Sequence, residues 1–187
     1  PEITVRGVDQ LQAVDFTMGP DRIETATWLA AAVITGGNVT VTDSAPEDLD
    51  AVLSVLQSMG AQVGLSQDSN QITVTGPQQL GPIDVKTSAY PGVPTDFQPL
   101  LMALACIANG RSRIEEQVFP QRFAHVPELR KLGASISSRQ GVAEITGVAQ
   151  LTGDMITGAD LRGTAGLVLA GLAAKGETLV KPSGAGV

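Results

Sequence analysis

Apolar positions along the chain fall into two kinds of helical pattern. Three segments, 21–37, 96–110 and 160–176, each begin with an aspartate and are then apolar on nearly every side. A helix of that kind has to be enclosed by other parts of a protein. Two further segments, 49–63 and 126–136, place leucine and valine on one face only, at helical spacing. The sequence therefore predicts three buried helices and two surface helices.

A pattern of about 70 residues repeats along the chain. Its copies open on the strand-like stretches ITVRGVDQL, ITVTGPQQL and AEITGVAQL, whose shared glycines are 69 and 71 residues apart (Gly7, Gly76, Gly147). A second strand-like stretch and one buried helix follow in every copy. In the first two copies a strand and a surface helix come next. Agreement at near-constant spacing is typical of a repeat architecture.

The repeat unit contains four strands and two helices, and its copies lie at about 3–71, 72–142 and 143–187, the last one partial. We expect an α/β (α+β) fold of repeated βαβαββ units, an inside-out barrel in which sheets surround the buried helices. We also expect the surface helices to end at Gly60 and Gly133 with a left-handed backbone. The third copy lacks its second helix and last strands. It should leave the buried helices partly uncovered, to be completed by a segment outside this chain.

Composition narrows the class of protein. Apolar residues make up 43% of the chain, which is enough for a substantial core, and the net charge of −7 disfavours nucleic acid and anionic membranes as partners. No apolar run reaches the roughly 20 residues of a membrane span. With a single cysteine, Cys106, we expect a soluble, cytoplasmic protein. One histidine, one cysteine and no phosphate-binding glycine loop predict no metal and no cofactor.

The stretch YPGVPTDFQ, residues 90–98, holds the most specific candidate for chemistry. Its two prolines and glycine restrict the backbone immediately before Asp96, at the start of a buried helix. Asp21 and Asp160 occupy the equivalent positions of the other copies, and all three aspartates, Asp96 included, are expected to cap their helices. Only the middle copy has the proline-rich approach, so Asp96 is the candidate for a further role. Arg162 stands in the first turn of a helix, where its charge opposes the helix dipole, and this favours contact with a ligand or acidic group.

Four motifs give the chain a resemblance to a known family. They are PDRIETATWL (20–29), YPGVPTDFQ (90–98), VFPQRFAHVPELRKLGA (118–134) and ADLRGTAGLVLAGLAAKG (159–176). In this order and spacing the chain resembles the enolpyruvyl transferases, and within them those that act on UDP-N-acetylglucosamine. The resemblance implies a protein of two similar domains with the active site between them. This chain would be most of one domain, without the domain that carries the family's catalytic cysteine loop.

The resemblance also implies a reaction and a set of residues. The family transfers the enolpyruvyl group of phosphoenolpyruvate to the 3′-hydroxyl of UDP-N-acetylglucosamine in peptidoglycan synthesis. It implies catalytic roles for Asp96, as the base that takes the hydroxyl proton, and for Arg122 and Arg162, as partners of the anionic substrate. The residues implied to bind substrate are Asp21, Thr95, Val118 and Asp160. The isolated chain is expected to be inactive.

Some positions depart from the family's pattern. Pro120 and Gln121 replace an acidic and an amide residue, Gly163 stands where alanine is usual, and the chain does not continue after Val180 into the family's Asp-Arg-Gly-Tyr segment. Two other interpretations therefore stay open. One is 5-enolpyruvylshikimate-3-phosphate synthase, which has the same fold and chemistry. The other is a non-catalytic scaffold domain that keeps the repeat, since a fold alone does not fix a function.

Overall fold

The computed structural model describes residues 2–66 and 70–182, so the end of the expected third copy, 183–187, lies outside the described residues. The α-helices are α1 (Arg22–Thr35), α2 (Asp50–Ser58), α3 (Gln98–Ala105), α4 (Val126–Lys131) and α5 (Leu161–Ala173). The strands are β1 (Asn38–Val41), β2 (Gln62–Ser66), β3 (Gln71–Thr75), β4 (Asp84–Lys86), β5 (Arg111–Glu115), β6 (Ser135–Arg139), β7 (Val142–Thr146), β8 (Leu151–Thr152), β9 (Met155–Gly158), β10 (Ala174–Lys175) and β11 (Leu179–Pro182). Two short 3-10 turns lie at Pro46–Asp48 and Thr95–Phe97.

The predicted buried helices α1, α3 and α5 pack against one another in the centre of the fold. All eight residues of α3 are buried, so the enclosure predicted from its apolar sequence is confirmed. Helices α1 and α5 bury one side and leave large apolar side chains exposed on the other, with Trp28 57% and Leu172 56% exposed. Among these helices, complete enclosure therefore holds for α3 alone.

Two sheets repeat the same plan around these helices. The first has the strand order β1-β3-β2 and is antiparallel throughout, and α1 packs on it. The second has the order β4-β5-β7-β6, in which β4 runs parallel to β5 and the other pairs are antiparallel, and α3 packs on it. In the third copy β9 pairs with β11 in parallel, as β4 pairs with β5, and both lie against α5. The expected mixed α/β fold of repeated units is thus confirmed.

The repeated glycines mark places where two backbones approach closely. A Cβ on Gly76 would lie 2.5 Å from the carbonyl oxygen of Ala32, and one on Gly147 would overlap the carbonyl of Ala108. The amide of Gly76 donates to the carbonyl of Gly37 at 2.8 Å, and that of Gly147 donates to Gly110 at 3.0 Å. Each glycine therefore lets a strand pass the end of the preceding buried helix, in two copies alike.

The first copy does not form the strand that its sequence predicts. Ile3 and Leu11 are 88% and 87% exposed, and residues 2–20 contain no helix or strand. The equivalent strands β3 and β7 each pair with two strands that come earlier in the chain. Residues 2–20 therefore pair with no strand among the described residues, and their apolar side chains are exposed.

The helix ends agree with the predicted backbone signals. Gly60 and Gly133, which follow the surface helices α2 and α4, have φ angles of 102° and 92°.

The C-terminal ends of α1, α3 and α5 line one cavity together, whereas residues at the starts of α3 and α5 meet at the opposite end of the core. The buried helices therefore run in the same direction. Within 2–66 and 70–182, every helix is too short or too polar to span a bilayer.

Candidate functional site

The proline-rich stretch of the middle copy delivers Asp96 to the entrance of α3. The Tyr90–Pro91 peptide is cis, and the 3-10 turn Thr95–Phe97 follows, anchored by the buried ring of Phe97. No side chain caps α3, so the prediction that Asp96 caps its helix is wrong. The additional turn places the carboxylate outside the helix end, where other donors take it.

Asp96 lies between two arginines from distant parts of the chain. Its Oδ1 accepts a hydrogen bond of 2.7 Å from Nη1 of Arg122, and its Oδ2 accepts one of 3.2 Å from Nε of Arg162. Arg122 comes from the loop between β5 and α4, and Arg162 from the first turn of α5. The structure therefore brings together the three residues that were predicted to be catalytic.

The electrostatics of this cluster favour the ionised form of Asp96. Partial burial acts to raise the pKa of Asp96, but hydrogen bonds from Arg122 and Arg162 and their positive charges outweigh it and lower the pKa below its usual value. The three side chains stay accessible, with 21–33% of each exposed. Each guanidinium has five N–H groups, and its contact with Asp96 uses one nitrogen. Donors therefore remain for an anion that approaches from solvent.

Thr95 and Val118 connect to the cluster through a residue that the sequence reasoning missed. The Thr95 hydroxyl accepts a 3.1 Å hydrogen bond from Nη1 of Arg122 and donates one of 2.9 Å to Oε2 of Glu116. The amide of Val118 donates to Oε1 of Glu116 at 2.9 Å. A signal for Glu116 was available. Alternation along β5 turns Ser112 and Ile114 inward and so predicts an inward carboxylate at 116.

Asp21 and Asp160 cap their helices as predicted. Oδ1 of Asp21 accepts from the amides of Ile23 and Glu24 at 2.7 and 3.1 Å. Oδ1 of Asp160 accepts in the same way from the amides of Arg162 and Gly163, at 3.0 and 2.9 Å. Neither carboxylate forms an ion pair with a described residue, so the structure leaves both outside the Asp96 cluster.

Arg22 joins the start of α1 to the proline-rich stretch. Its guanidinium lies 5.4 Å from the centre of the Tyr90 ring, a distance at which a cation is attracted to an aromatic face. Among the described residues Arg22 forms no ion pair, not even with the nearby Glu24. The contact instead holds the rim of the middle copy against the first.

Two other reactive side chains are placed as structural residues. Cys106 is completely buried, and burial raises the pKa of its thiol to about 12, which disfavours the thiolate. His125 is 1% exposed. Burial, aided by the charge of Arg122 and opposed by that of Asp160, lowers the pKa of His125 to about 4. In the part of the chain that the structure describes, no group of three or more His, Cys, Asp or Glu side chains is placed to hold a metal ion.

The chemistry that this geometry permits is proton transfer beside bound anionic groups. A partly exposed carboxylate can accept a proton from a hydroxyl within hydrogen-bond reach. Adjacent guanidinium groups bind phosphate and carboxylate oxygens. Both features, on sheets that surround parallel buried helices, are those that the resemblance to the enolpyruvyl transferases implies.

Comparison of the sequence with protein families gives the same class. The family model described as EPSP synthase (3-phosphoshikimate 1-carboxyvinyltransferase) matches residues 1–185. The chain therefore belongs to the EPSP synthase family, whose members are carboxyvinyl (enolpyruvyl) transferases. The expectation drawn from the four motifs is thus confirmed at the level of the family.

Similar curated proteins come from diverse bacteria. The chain is 42% identical over 179 residues to UDP-N-acetylglucosamine 1-carboxyvinyltransferase of Kosmotoga olearia, covering 96% of this chain and 42% of that protein. It is 46% identical over 179 residues to UDP-N-acetylglucosamine 1-carboxyvinyltransferase 1 of Symbiobacterium thermophilum, covering 96% of this chain and 40% of that protein. The chain thus spans about two fifths of the length of the curated relatives it matches.

Solved structures of similar proteins share the fold. The enolpyruvyl transferase NikO from Streptomyces tendae is 30% identical and superposes with a TM-score of 0.79, over 89% of this chain and 40% of that one. EPSP synthase from Acinetobacter baumannii superposes with a TM-score of 0.69 at 23% identity, over 92% of this chain and 41% of that one. The second likeness concerns the fold alone.

Proposed function

We propose that this chain is part of an enzyme that transfers the enolpyruvyl group of phosphoenolpyruvate to the 3′-hydroxyl of UDP-N-acetylglucosamine. The observation that carries the proposal is the carboxylate of Asp96 held between Arg122 and Arg162 at the ends of the buried helices. The names of the curated relatives support the acceptor. The reaction is the first committed step of peptidoglycan synthesis and takes place in the cytoplasm. It would therefore contribute to cell shape and cell division.

Asp96 acts as the general base of this reaction. An alcohol is a weak nucleophile, and a carboxylate within reach of its proton makes attack on C2 of phosphoenolpyruvate easier. C3 of phosphoenolpyruvate takes up a proton as the new C–O bond to the sugar forms and gives up a proton as the C–O bond to phosphate breaks. The hydroxyl proton leaves through Asp96. The ligand-free pairing with two arginines weakens Asp96 as a base. We therefore infer that a bound anionic substrate neutralises part of the positive charge of the guanidinium groups and so raises the basicity of Asp96.

Arg122 and Arg162 bind the phosphate and carboxylate groups of phosphoenolpyruvate. The chain as a whole carries a net charge of −7, so an anionic substrate needs a local concentration of positive charge. Two guanidinium groups and the N-terminal ends of parallel helices supply it at one place. We propose that Thr95, Val118, Asp21 and Asp160 bind the sugar nucleotide or orient the groups that do.

The remainder of the longer protein completes the site. The chain spans about two fifths of its curated relatives, and the side chains of Asp96, Arg122 and Arg162 are 21–33% exposed. We propose that residues 1–187 are most of one domain and that a second domain, with the cysteine loop, closes over Asp96. On this proposal neither part alone turns over substrate.

The test compares two acceptors with the full-length protein that contains this chain. Phosphate release from phosphoenolpyruvate should depend on UDP-N-acetylglucosamine and should not respond to shikimate 3-phosphate. Dependence on shikimate 3-phosphate would instead establish the EPSP synthase reaction that gives the family its description. If no phosphate is released with either acceptor, the non-catalytic scaffold interpretation is favoured. Residues 1–187 alone serve as the comparison and should release no phosphate above background.

A further inference from the structure

Glu116 is a buried carboxylate that connects three separate parts of the candidate site. It follows the last residue of β5 and is 2% exposed. Its Oε1 accepts hydrogen bonds from the Thr87 hydroxyl at 2.7 Å and from the amides of Val118 and Phe119 at 2.9 Å each. Its Oε2 accepts one of 2.9 Å from the Thr95 hydroxyl. One side chain thus holds two threonines and a loop backbone.

The surroundings of Glu116 indicate a specific role. A buried carboxylate is costly unless donors satisfy its oxygens, and an apolar residue at this inward position of the sheet would avoid the cost. Among residues 2–66 and 70–182 no lysine or arginine forms an ion pair with Glu116, so its partners are hydroxyl and amide donors. With so little exposure, Glu116 cannot itself contact a substrate. Any effect on the reaction has to pass through the residues it holds.

The link to the reacting groups runs through Thr95. A hydroxyl has one proton, and Thr95 donates it to Glu116. The lone pairs of the Thr95 oxygen are then directed at Nη1 of Arg122, which donates to Thr95 at 3.1 Å and to Asp96 at 2.7 Å. The carboxylate of Glu116 therefore fixes the direction of the Thr95 hydroxyl, and that hydroxyl helps to fix the guanidinium.

We propose that Glu116 is a positioning residue for the transfer reaction: through the Thr95 hydroxyl it holds Arg122 in register with Asp96. This inference rests on the proposed function. It predicts that a loss of the Thr95–Glu116 hydrogen bond lowers kcat more than it weakens binding of the sugar nucleotide.

The variant Glu116→Gln breaks one contact selectively. Its carbonyl oxygen can keep the three donors that now bind Oε1, because the amide nitrogen would be repelled by them. The amide nitrogen then faces Thr95, whose hydroxyl loses its acceptor and its fixed direction. In the full-length protein we expect kcat to fall on the order of 10- to 100-fold. The KM for UDP-N-acetylglucosamine should change much less.

The matched control is Glu115→Gln, the same chemical change one residue earlier. Glu115 points to the other face of β5, where it pairs with Arg113 at 2.8 Å, and its substitution should leave kcat unchanged. A second comparison is Glu116→Gln made in a Thr95→Val background. If Glu116 acts through Thr95, the second substitution should lower kcat no further, because the hydrogen bond is already absent.

The outcomes separate this inference from the proposed function. An inactive wild-type protein refutes the proposed function, whereas an active wild type with an equally active Glu116→Gln variant refutes only the role of Glu116. Additive losses in the double variant also overturn it. Thermal unfolding identifies variants that do not fold. Should Glu116→Gln be one of them, Thr95→Val carries the same comparison of kcat with KM, and an unchanged kcat there contradicts the proposal.

Discussion

The three buried helices begin alike in sequence and differently in structure. Asp21 and Asp160 accept hydrogen bonds from the first amides of α1 and α5. Asp96, at the equivalent position of the middle copy, leaves the end of α3 without a side-chain cap and binds two arginines. The difference is the 3-10 turn Thr95–Phe97, which precedes α3, whereas α1 and α5 begin directly after their aspartates. The comparison teaches that a small change in the backbone before a repeated aspartate can move its carboxylate from the helix amides to other donors.

The largest expected effect is that of Asp96→Asn on catalysis. The amide cannot accept the hydroxyl proton, so we expect kcat of the full-length protein to fall by about 10²- to 10⁴-fold. The fold should persist, because Asp96 caps no helix. Phosphate release is the measurement, and Asp84→Asn, an exposed aspartate that pairs with Arg113, is the matched control. Near-normal turnover by Asp96→Asn would remove Asp96 from the role of base.

A smaller effect is expected when either arginine is replaced by lysine. Lysine keeps the charge but cannot present the planar pair of donors that phosphate and carboxylate groups favour. We expect Arg122→Lys or Arg162→Lys to raise the KM for phosphoenolpyruvate by about 10- to 100-fold, from the loss of one or more charge-assisted hydrogen bonds. Steady-state kinetics measure the change in KM, with Arg113→Lys on strand β5 as control. Equal KM values in all three variants would show that these arginines do not bind the anion.

His125 is buried near the charged groups of Asp160 and Arg122, and it should make the stability of the fold depend on pH. Its pKa of about 4 in the fold is below the ordinary value of 6.5, so between those pH values the unfolded chain binds a proton that the folded chain does not. Stability should therefore decrease as pH falls from 6.5 to 4, by up to about 3 kcal/mol, and His125 should add no further loss below that range. Urea unfolding at pH 7 and pH 5 measures the slope. His125→Gln should flatten it, and an unchanged slope would mean that His125 is protonated in the fold.

The smallest effects are expected for the helix caps. Asp160→Ala and Asp21→Ala should each lower the free energy of unfolding by about 1 kcal/mol, because amides at the helix start lose their acceptor. Asp96→Ala should lack this cost, since Asp96 does not cap α3. Thermal unfolding of the three variants side by side measures the difference. An equal loss in all three would contradict the distinction drawn above.

Much of the fold could be predicted because its signals are local. The spacing of glycines and leucines predicted the repeat, and Gly60 and Gly133 do have positive φ angles. The strand expected at Ile3 fails for a different reason, since a strand needs partners and the alternation of apolar residues does not show whether they are present. The amphipathic pattern of the surface helices likewise predicted their existence better than their length, as the brief α4 shows.

The candidate site was predictable in its members and less so in its connections. The motifs predicted Asp96, Arg122 and Arg162, and the structure brings them into contact. Whether an aspartate before a helix turns towards the helix or away from it depends on one backbone turn, which cap preferences do not resolve. Glu116 was missed because a pair of glutamates after a strand resembles ordinary surface charge. Only the alternation of inward and outward positions along β5 distinguishes the inward Glu116 from the outward Glu115.

The close passage of Gly76 and Gly147 beside the helix ends has a consequence for how this protein can be divided. Strand β3 opens the second copy in sequence, yet it hydrogen-bonds to β1 and β2 of the first, and β7 is related to β5 and β6 in the same way. The first strand of each of these copies is therefore part of the sheet of the preceding copy. Dividing the chain at the boundary between sequence copies would remove the central strand of a three-stranded pairing. Dividing it after that strand and its glycine would leave each sheet complete.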